Sequence, residues 1–194
     1  MSTSRALRPG WYVVPAVLVA WGLAAAPAAN AADSGSLEYP VKAALLSKFG
    51  LFVDWPGTSF PAPSSPLNLC VAGEDSFGAL LDNTVSGQRI GERAIAVRRL
   101  KAAGRDSGCH ILFIGGADPQ RNAQTLEAVR GSSVLTVTDS GAGGGAGIID
   151  FVVRDNRVRF DINDEAAAQN GLVISSKLLN LALNVKPRRS KEVR

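Results

Sequence analysis

The sequence predicts a mixed α/β fold, in which about five helices flank a single mixed β-sheet of about six strands. Three observations lead to this prediction. Apolar residues recur at helical spacing in several segments, short apolar or alternating runs are typical of strands, and the two kinds of segment alternate along the chain. Strands joined by helices are expected to be parallel, and a late hairpin is expected to add antiparallel strands.

The first predicted element is a helix that begins at Pro40 and ends before Pro56. Val41, Leu45 and Phe49 recur at a spacing of four residues, which places them on one face of a helix. Proline is favoured in the first helical turn, and a residue that precedes proline disfavours helical backbone. The two prolines therefore mark the expected start and end of this helix.

Six further segments are predicted to be strands, because each is a short apolar or alternating run bounded by turn residues. The last two flank Asp155 and Asn156, a pair that is typical of a tight hairpin turn. The predicted strands are residues 66–72, 94–100, 109–115, 133–138, 148–153 and 158–162.

Four more helices are predicted from capping residues and apolar spacing. Asp118 and Pro119 provide an N-cap and a first-turn proline for a helix that runs through Arg130. The others are a short helix that carries Phe77, Leu80 and Leu81, a short helix that Asn163 or Asp164 caps and that ends at Gly171, and a last helix that starts at Ser175 or Ser176 and carries Leu178, Leu181, Ala182 and Val185 on one stripe.

The chain begins with a predicted secretory signal peptide, residues 1–31. This segment has a basic start without acids, an apolar stretch, and small residues at positions 29 and 31 before the expected cleavage site. An uncleaved membrane anchor is the alternative, but the apolar stretch is shorter than the ~20 residues of a spanning helix. One domain at residues 32–187 and a basic flexible tail at residues 188–194 are expected to follow, without stable membrane insertion after cleavage.

Composition and charge exclude several classes of function. The formal net charge is +4, but the basic excess lies at the two ends and the body has no basic patch interleaved with aromatic residues, so no nucleic-acid partner is expected. Two cysteines are too few for a four-thiolate zinc site, and one histidine, His110, leaves little room for histidine-based metal chemistry. A catalytic triad needs only one histidine, but no nucleophile elbow accompanies His110. The glycine tract at residues 141–147 lacks the Lys and Ser/Thr that end a phosphate-binding loop, so a flexible connector is expected. We therefore expect no enzyme, no catalytic residue, no metal and no cofactor, and a structural role for His110.

A local acidic cluster is formed by Asp161, Asp164 and Glu165. Paired carboxylates can hydrolyse glycosidic bonds, so a hydrolase is one hypothesis. Roles at a hairpin end and at a helix cap explain the same three residues more simply.

The two cysteines, Cys70 and Cys109, are expected to meet oxidising conditions after export, where disulfides persist. If they pair, they close a loop of about 40 residues, for which the chain-entropy model gives roughly 4 kcal/mol of stabilisation. A free thiol or a redox role is the weaker alternative, because the sequence has no C-x-x-C motif.

The end of the first predicted helix is rich in aromatic residues, with Phe49, Phe52 and Trp55 ahead of Pro56. Core packing is expected for Phe49. The three residues do not fit one narrow stripe, so Trp55 is expected to be partly exposed. Large aromatic residues at a rim are common anchors of protein interfaces, which makes Trp55 a candidate for partner binding.

Five segments, taken in order, carry a family resemblance. They are VKAALLSKFGLFVDWP at residues 41–56, LNLCVAG at 67–73, GCHILFIG at 108–115, VLTVTD at 134–139, and RVRFDIN at 157–163, which continues as GLVISSKLL at 171–179. In this order they resemble the YfiR family of periplasmic proteins. The resemblance covers about residues 38–185, nearly all of the mature chain.

The resemblance implies a helix-flanked mixed sheet and a location in the periplasm of a Gram-negative bacterium. It implies a regulator that binds and represses the periplasmic sensor domain of a membrane diguanylate cyclase of the YfiN type, which lowers cyclic di-GMP signalling and biofilm formation. It also implies a homodimer. Cys70 and Cys109 match the family's cysteine pair and are expected to form its disulfide, whereas the second cysteine pair of some members is missing here.

On this basis we expect the partner to bind at the aromatic helix end and near the C-terminus. An alternative is a periplasmic module that binds a small molecule or a cell-wall fragment and acts with a sensor kinase or an outer-membrane receptor. The candidate partner-binding residues are Phe49, Phe52, Trp55, Ile174, Lys177 and Leu178.

Overall fold

The computed structural model describes residues 34–142 and 146–189. The predicted signal peptide, the middle of the glycine tract and residues 190–194 lie outside these ranges. The helices are α1 (Ser34–Phe49), α2 (Ala79–Val85), α3 (Pro119–Ala128), α4 (Asp164–Gln169) and α5 (Ser176–Leu179). The strands are β1 (Val53–Asp54), β2 (Leu67–Gly73), β3 (Arg89–Ile90), β4 (Arg93–Leu100), β5 (Ile111–Gly115), β6 (Leu135–Asp139), β7 (Ile149–Arg154), β8 (Arg157–Asn163), β9 (Val173–Ile174) and β10 (Val185–Lys186).

Eight strands form one mixed sheet in the order β10-β8-β7-β6-β5-β2-β4-β3, and β1 pairs with β9 in a separate two-stranded sheet. The five central strands, from β4 to β7, run parallel, and β8 pairs antiparallel with β7. The mixed α/β prediction is confirmed, and each of the six predicted strands corresponds to one long strand. The four remaining strands have two residues each, too few to leave an alternating pattern in the sequence.

Local sequence determines several of the boundaries as predicted. Asp155 and Asn156 form the hairpin turn between β7 and β8 with φ angles of 50° and 59°, the left-handed backbone that a type I′ turn requires. The Asp118 carboxylate accepts hydrogen bonds from the first backbone N–H groups of α3. Asn163 caps α4 and Ser175 caps α5 in the same way.

The sheet separates two apolar cores, because successive strand residues point to opposite faces. Leu69 and Val71 of β2 face the larger core, on the side of α1, α2 and α4. Cys70 and Ala72 face the smaller core, on the side of α3. All five residues of β5 and of β6 are buried, as expected for central parallel strands that are covered on both faces.

The first helix differs from its prediction at both ends. It begins at Ser34, so Pro40 lies inside it, because tertiary contacts hold the turn ahead of the proline. In that turn the Tyr39 ring packs edge-on against Phe77, with 5.5 Å between ring centroids. After Phe49 the chain passes through a short 3-10 turn at 50–52 and then becomes β1, because residues 53–54 pair with β9.

The buried face of α1 matches the predicted one only in part: Phe49 is buried and Leu45 packs against the larger core, but Val41 does not. Val41 is 42% exposed, whereas Lys42 is fully buried. The Lys42 ammonium donates to the Asp139 carboxylate at the end of β6, at 2.5 Å, and also pairs with Glu38. Burial alone would lower the pKa of Lys42, but the two carboxylates outweigh it and the pKa is raised, so Lys42 stays charged. An ion pair across the helix–sheet interface therefore decides which side of α1 faces inward.

The last helix is shorter than predicted. It ends at Leu179, and Val185 lies in β10 instead of on the helix. The reason is competition from the sheet edge: the backbone N–H of Leu183 donates to Phe160 of β8, and Ile162 donates back to Asn184. The chain gains strand pairing by leaving the helix after one turn.

A disulfide joins Cys70 of β2 to Cys109, which lies two residues before β5, with 5.8 Å between the Cα atoms. This confirms the expected pairing. Because β2 and β5 are neighbouring central strands, the bond closes the long connection through α2, β3 and β4 at the middle of the sheet.

We expect the Cys70→Ser/Cys109→Ser variant to lose roughly 4 kcal/mol of unfolding free energy, because its unfolded chain regains the entropy of the opened loop. Urea unfolding of both proteins, with and without a reductant, measures this. The reductant should lower the midpoint of the original chain and leave that of the variant unchanged. Equal midpoints for the two proteins in oxidising buffer would contradict a stabilising disulfide.

Candidate functional site

The strand pair β1–β9 brings together the two segments that the sequence marks as partner-binding candidates. Val53 pairs with Ile174 and Asp54 with Val173, in antiparallel register. The backbone N–H of Ser175 donates to the Phe52 carbonyl at 2.8 Å and extends the contact. The aromatic end of the first helix and the segment before α5 therefore form one structural unit.

The pairing divides the predicted residues between the core and the surface. Phe49, Ile174 and Leu178 are buried in the larger core. In this conformation their side chains pack in the core and are not available for direct contact with a partner. Phe52 and Trp55 are half-buried, and Lys177 is exposed.

Two exposed apolar residues at this place were missed by the sequence analysis. Leu51 is 52% exposed and Val173 is 50% exposed. The alternation of β9 is the signal that points to Val173: because Ile174 faces the core, its neighbour must face out. We define the β1–β9 surface by its exposed and half-buried residues, which are Leu51, Phe52, Asp54, Trp55, Val173 and Lys177.

Trp55 is held by an aromatic cluster from other parts of the chain. Its ring lies edge-on to Phe60 and to His110, with centroid separations of 6.3 Å and 6.4 Å. Phe60 stacks on His110 at 4.2 Å, and the Arg93 guanidinium lies 3.7 Å above the Phe60 ring. Among the residues that the structure describes, the buried indole Nε1 of Trp55 has no hydrogen-bond partner. The rings of Phe60 and His110 thus hold the Trp55 side chain in place.

His110 has a structural role, as the sequence indicates. Its Nδ1 accepts a hydrogen bond from the Asn68 backbone N–H, and its Nε2 lies 3.0 Å from the Ser59 carbonyl, to which it donates. One accepting and one donating nitrogen describe the neutral ring. Burial lowers the pKa of His110, and the nearby Arg93 charge lowers it further, against the opposing effect of the Ser59 carbonyl.

The carboxylates of the acidic cluster all have partners from the C-terminal segment. Asp164 accepts two hydrogen bonds from the Arg188 guanidinium, each at 2.8 Å. Glu165 pairs with Lys186 and Arg189, and the hydrogen bond from Lys186 lowers the pKa of Glu165. Asp161 accepts from the backbone and side-chain N–H groups of Asn184. These contacts dock residues 184–189 on α4 and β8.

The described residues contain neither a cluster of metal ligands nor a membrane-spanning helix. Across residues 34–142 and 146–189, no three His, Cys, Asp or Glu side chains come together in a way that could hold a metal ion. No helix in the described part of the chain has the length and apolar character to cross a membrane.

The neutral His110 predicts a pH dependence of stability. The folded pKa is below the unfolded value of about 6.5, so the unfolded chain takes up the proton more readily. The free energy of unfolding should therefore be at its full value above pH 6.5 and fall as the pH drops below it. Urea unfolding at pH values from about one unit below to about one unit above that pKa measures the slope of the free energy of unfolding against pH. His110→Gln should remove it, since the chain has only one histidine; an unchanged slope would refute the assignment.

Comparison with known proteins identifies the family. A family model described as YfiR/HmsC-like matches residues 39–183, a range that includes the whole β1–β9 surface and the disulfide. A search of curated proteins finds no match. The family is regulatory and non-catalytic, and its members act in the periplasm. The chain therefore belongs to the YfiR/HmsC-like family of periplasmic regulators of diguanylate cyclase signalling.

Proposed function

We propose that this protein binds the periplasmic sensor domain of a membrane diguanylate cyclase through the β1–β9 surface and holds the enzyme in a state of low activity. Cyclic di-GMP signalling and biofilm formation then fall while the complex persists. The observation that carries the proposal is the pairing of β1 with β9, which leaves apolar residues exposed around Trp55. The rings of Phe60 and His110 hold Trp55 in place. Family membership supports this class of partner.

The β1–β9 surface has the composition of a protein interface. Leu51, Val173 and the half-buried Trp55 provide an apolar centre, and Asp54 and Lys177 provide charges beside it. Aromatic anchors surrounded by a polar rim are typical of interfaces, and a few such anchors supply most of the binding free energy. Because its neighbours already hold Trp55, little side-chain entropy would be lost on binding.

Repression follows from differential binding. A bound protein shifts a sensor between two conformations only to the extent that it binds one of them more tightly. To move the sensor from mostly active to mostly inactive, the protein must favour the inactive state by about 10⁴-fold. A rigid surface suits this task, since it fits one conformation of the sensor and excludes the other. The protein would act as a homodimer, as its family resemblance implies.

We expect Val173→Glu to weaken the complex by about tenfold or more, because it places a charge in the apolar centre, opposite Asp54 of β1. Trp55→Ala should weaken it by roughly 30-fold, the effect of losing a central anchor. Binding is measured by pull-down and by titration against the purified periplasmic domain of the cyclase.

The matched control is Leu37→Glu, which alters another exposed apolar residue, on α1. It should bind as tightly as the original chain. Folding of each variant is checked by its melting curve. If Val173→Glu and Trp55→Ala both fold and bind at full strength, the β1–β9 surface is not the partner-binding site.

A second candidate function is a module that binds a small molecule or a cell-wall fragment. One observation favours it: a cavity of about 350 Å³ opens beside Trp55 and is lined by Leu51, Phe60 and Arg93. Aromatic rings beside a guanidinium can bind a flat or anionic ligand. This function predicts that muropeptide fragments raise the melting temperature of the protein and that Trp55→Ala removes the rise. No rise with any fragment would count against it.

A further inference from the structure

The neighbouring strands β2 and β5 lie side by side in the middle of the sheet, but the chain leaves them in opposite directions. From β2 it passes through α2 to β4, and from β5 it passes through α3 to β6 on the other side. Leu81 of α2 packs in the larger core, and Leu126 of α3 packs against the smaller core on the opposite face. Such a divergence is a topological switch point, and α/β proteins bind ligands outside the carboxyl ends of the strands there.

The two strand ends at this point touch each other directly. The Glu74 backbone N–H donates to the Gly115 carbonyl at 3.2 Å. A Cβ atom on Gly73 would lie 2.3 Å from that carbonyl oxygen, so only glycine permits the approach. This contact fixes one wall of the crevice and leaves the space between α3 and the loop after β4 open.

That space is a cavity of about 300 Å³, at the small end of the range of ligand sites. Small side chains leave the room: Ala72, Ala103 and Ala128 line it, together with Gly73. Polar groups line the same cavity, and none of its lining residues is a carboxylate. The polar and charged residues are Lys101, Arg121, Asn122, Gln124 and Thr125.

The two cations of the cavity have spare binding capacity. Lys101 has no ion-pair partner among the residues that the structure describes, and the Gln124 side chain makes no hydrogen bond to them. Arg121 is 4.0 Å from Asp118 at its nearest, with both side chains largely exposed, so its guanidinium is free to turn to another anion. Asn122, by contrast, is buried and donates to the Gly116 carbonyl.

From these features we infer that the crevice binds a small organic anion. Arg121 and Lys101 hold its carboxylate head, because a guanidinium matches the planar carboxylate and an ammonium adds a second charge. The alanine-lined wall receives a short apolar body. The site lies beside the smaller core, which contains the disulfide, and it shares no residue with the β1–β9 surface. Its existence therefore does not depend on the proposed partner.

Amide NMR titration of the full mature chain with hexanoate tests the inference. Hexanoate should produce saturable shifts at Gly73, at residues 101–103 and along α3. Two other probes each have only one of these two parts. Hexanol has the apolar chain without the charge, and inorganic phosphate has the charge without the chain. Each should bind about tenfold more weakly than hexanoate, or worse, because either the charge or the apolar contact is lost.

Three variants distinguish a role of Lys101 and Arg121 in binding from a role in folding. Lys101→Ala/Arg121→Ala should weaken hexanoate binding by about tenfold. The conservative Lys101→Arg/Arg121→Lys should retain most of the affinity, and Arg105→Ala should retain all of it, because Arg105 lies in the same loop outside the cavity lining. Unsaturable or scattered shifts, equal binding of hexanol or phosphate, or full binding by the folded double alanine variant would each overturn the inference.

Discussion

The antiparallel pairing of β1 with β9 is the interaction on which the candidate surface depends. It joins residues 53–54, at the end of the first helix, to residues 173–174, near the C-terminus. Because side chains alternate along a strand, burying Val53 and Ile174 forces their neighbours outward. The same short contact thus anchors both segments to the core and exposes the residues that a partner can reach.

The main sheet supports this surface and a separate site on its other face. Phe49 packs against Phe151 and Phe160, with centroid separations of 5.8 Å and 5.4 Å, and fixes the end of α1 just before β1. The buried Lys42–Asp139 pair fixes the rotation of the same helix. Removing one member of such a pair leaves an uncompensated buried charge, so this ion pair specifies the helix orientation strongly. The crevice at the switch point lies on the opposite side, with α3.

Local patterns in the sequence were sufficient for the six long strands, the hairpin and the caps, since those depend on neighbours in the chain. They were not sufficient where contacts between residues distant in sequence determine the structure. Lys42 breaks the apolar pattern of α1 because Asp139 is its partner, and residues 183–185 leave the predicted helix because β8 offers strand pairing. For the candidate site, the aromatic run and the family resemblance located both segments. Which residues face out follows from the β1–β9 register, which no local pattern contains.

Site-specific photocrosslinking from Val173 in living cells tests the central claim most directly. A photoreactive phenylalanine derivative at Val173, whose side chain faces out, should crosslink to the periplasmic domain of a membrane diguanylate cyclase. The same derivative at Gln120, an exposed residue of α3 on the opposite face of the sheet, should give no such adduct. Adducts with the cyclase from Gln120 and none from Val173, in a chain that still represses cyclic di-GMP, would contradict the assignment of the surface.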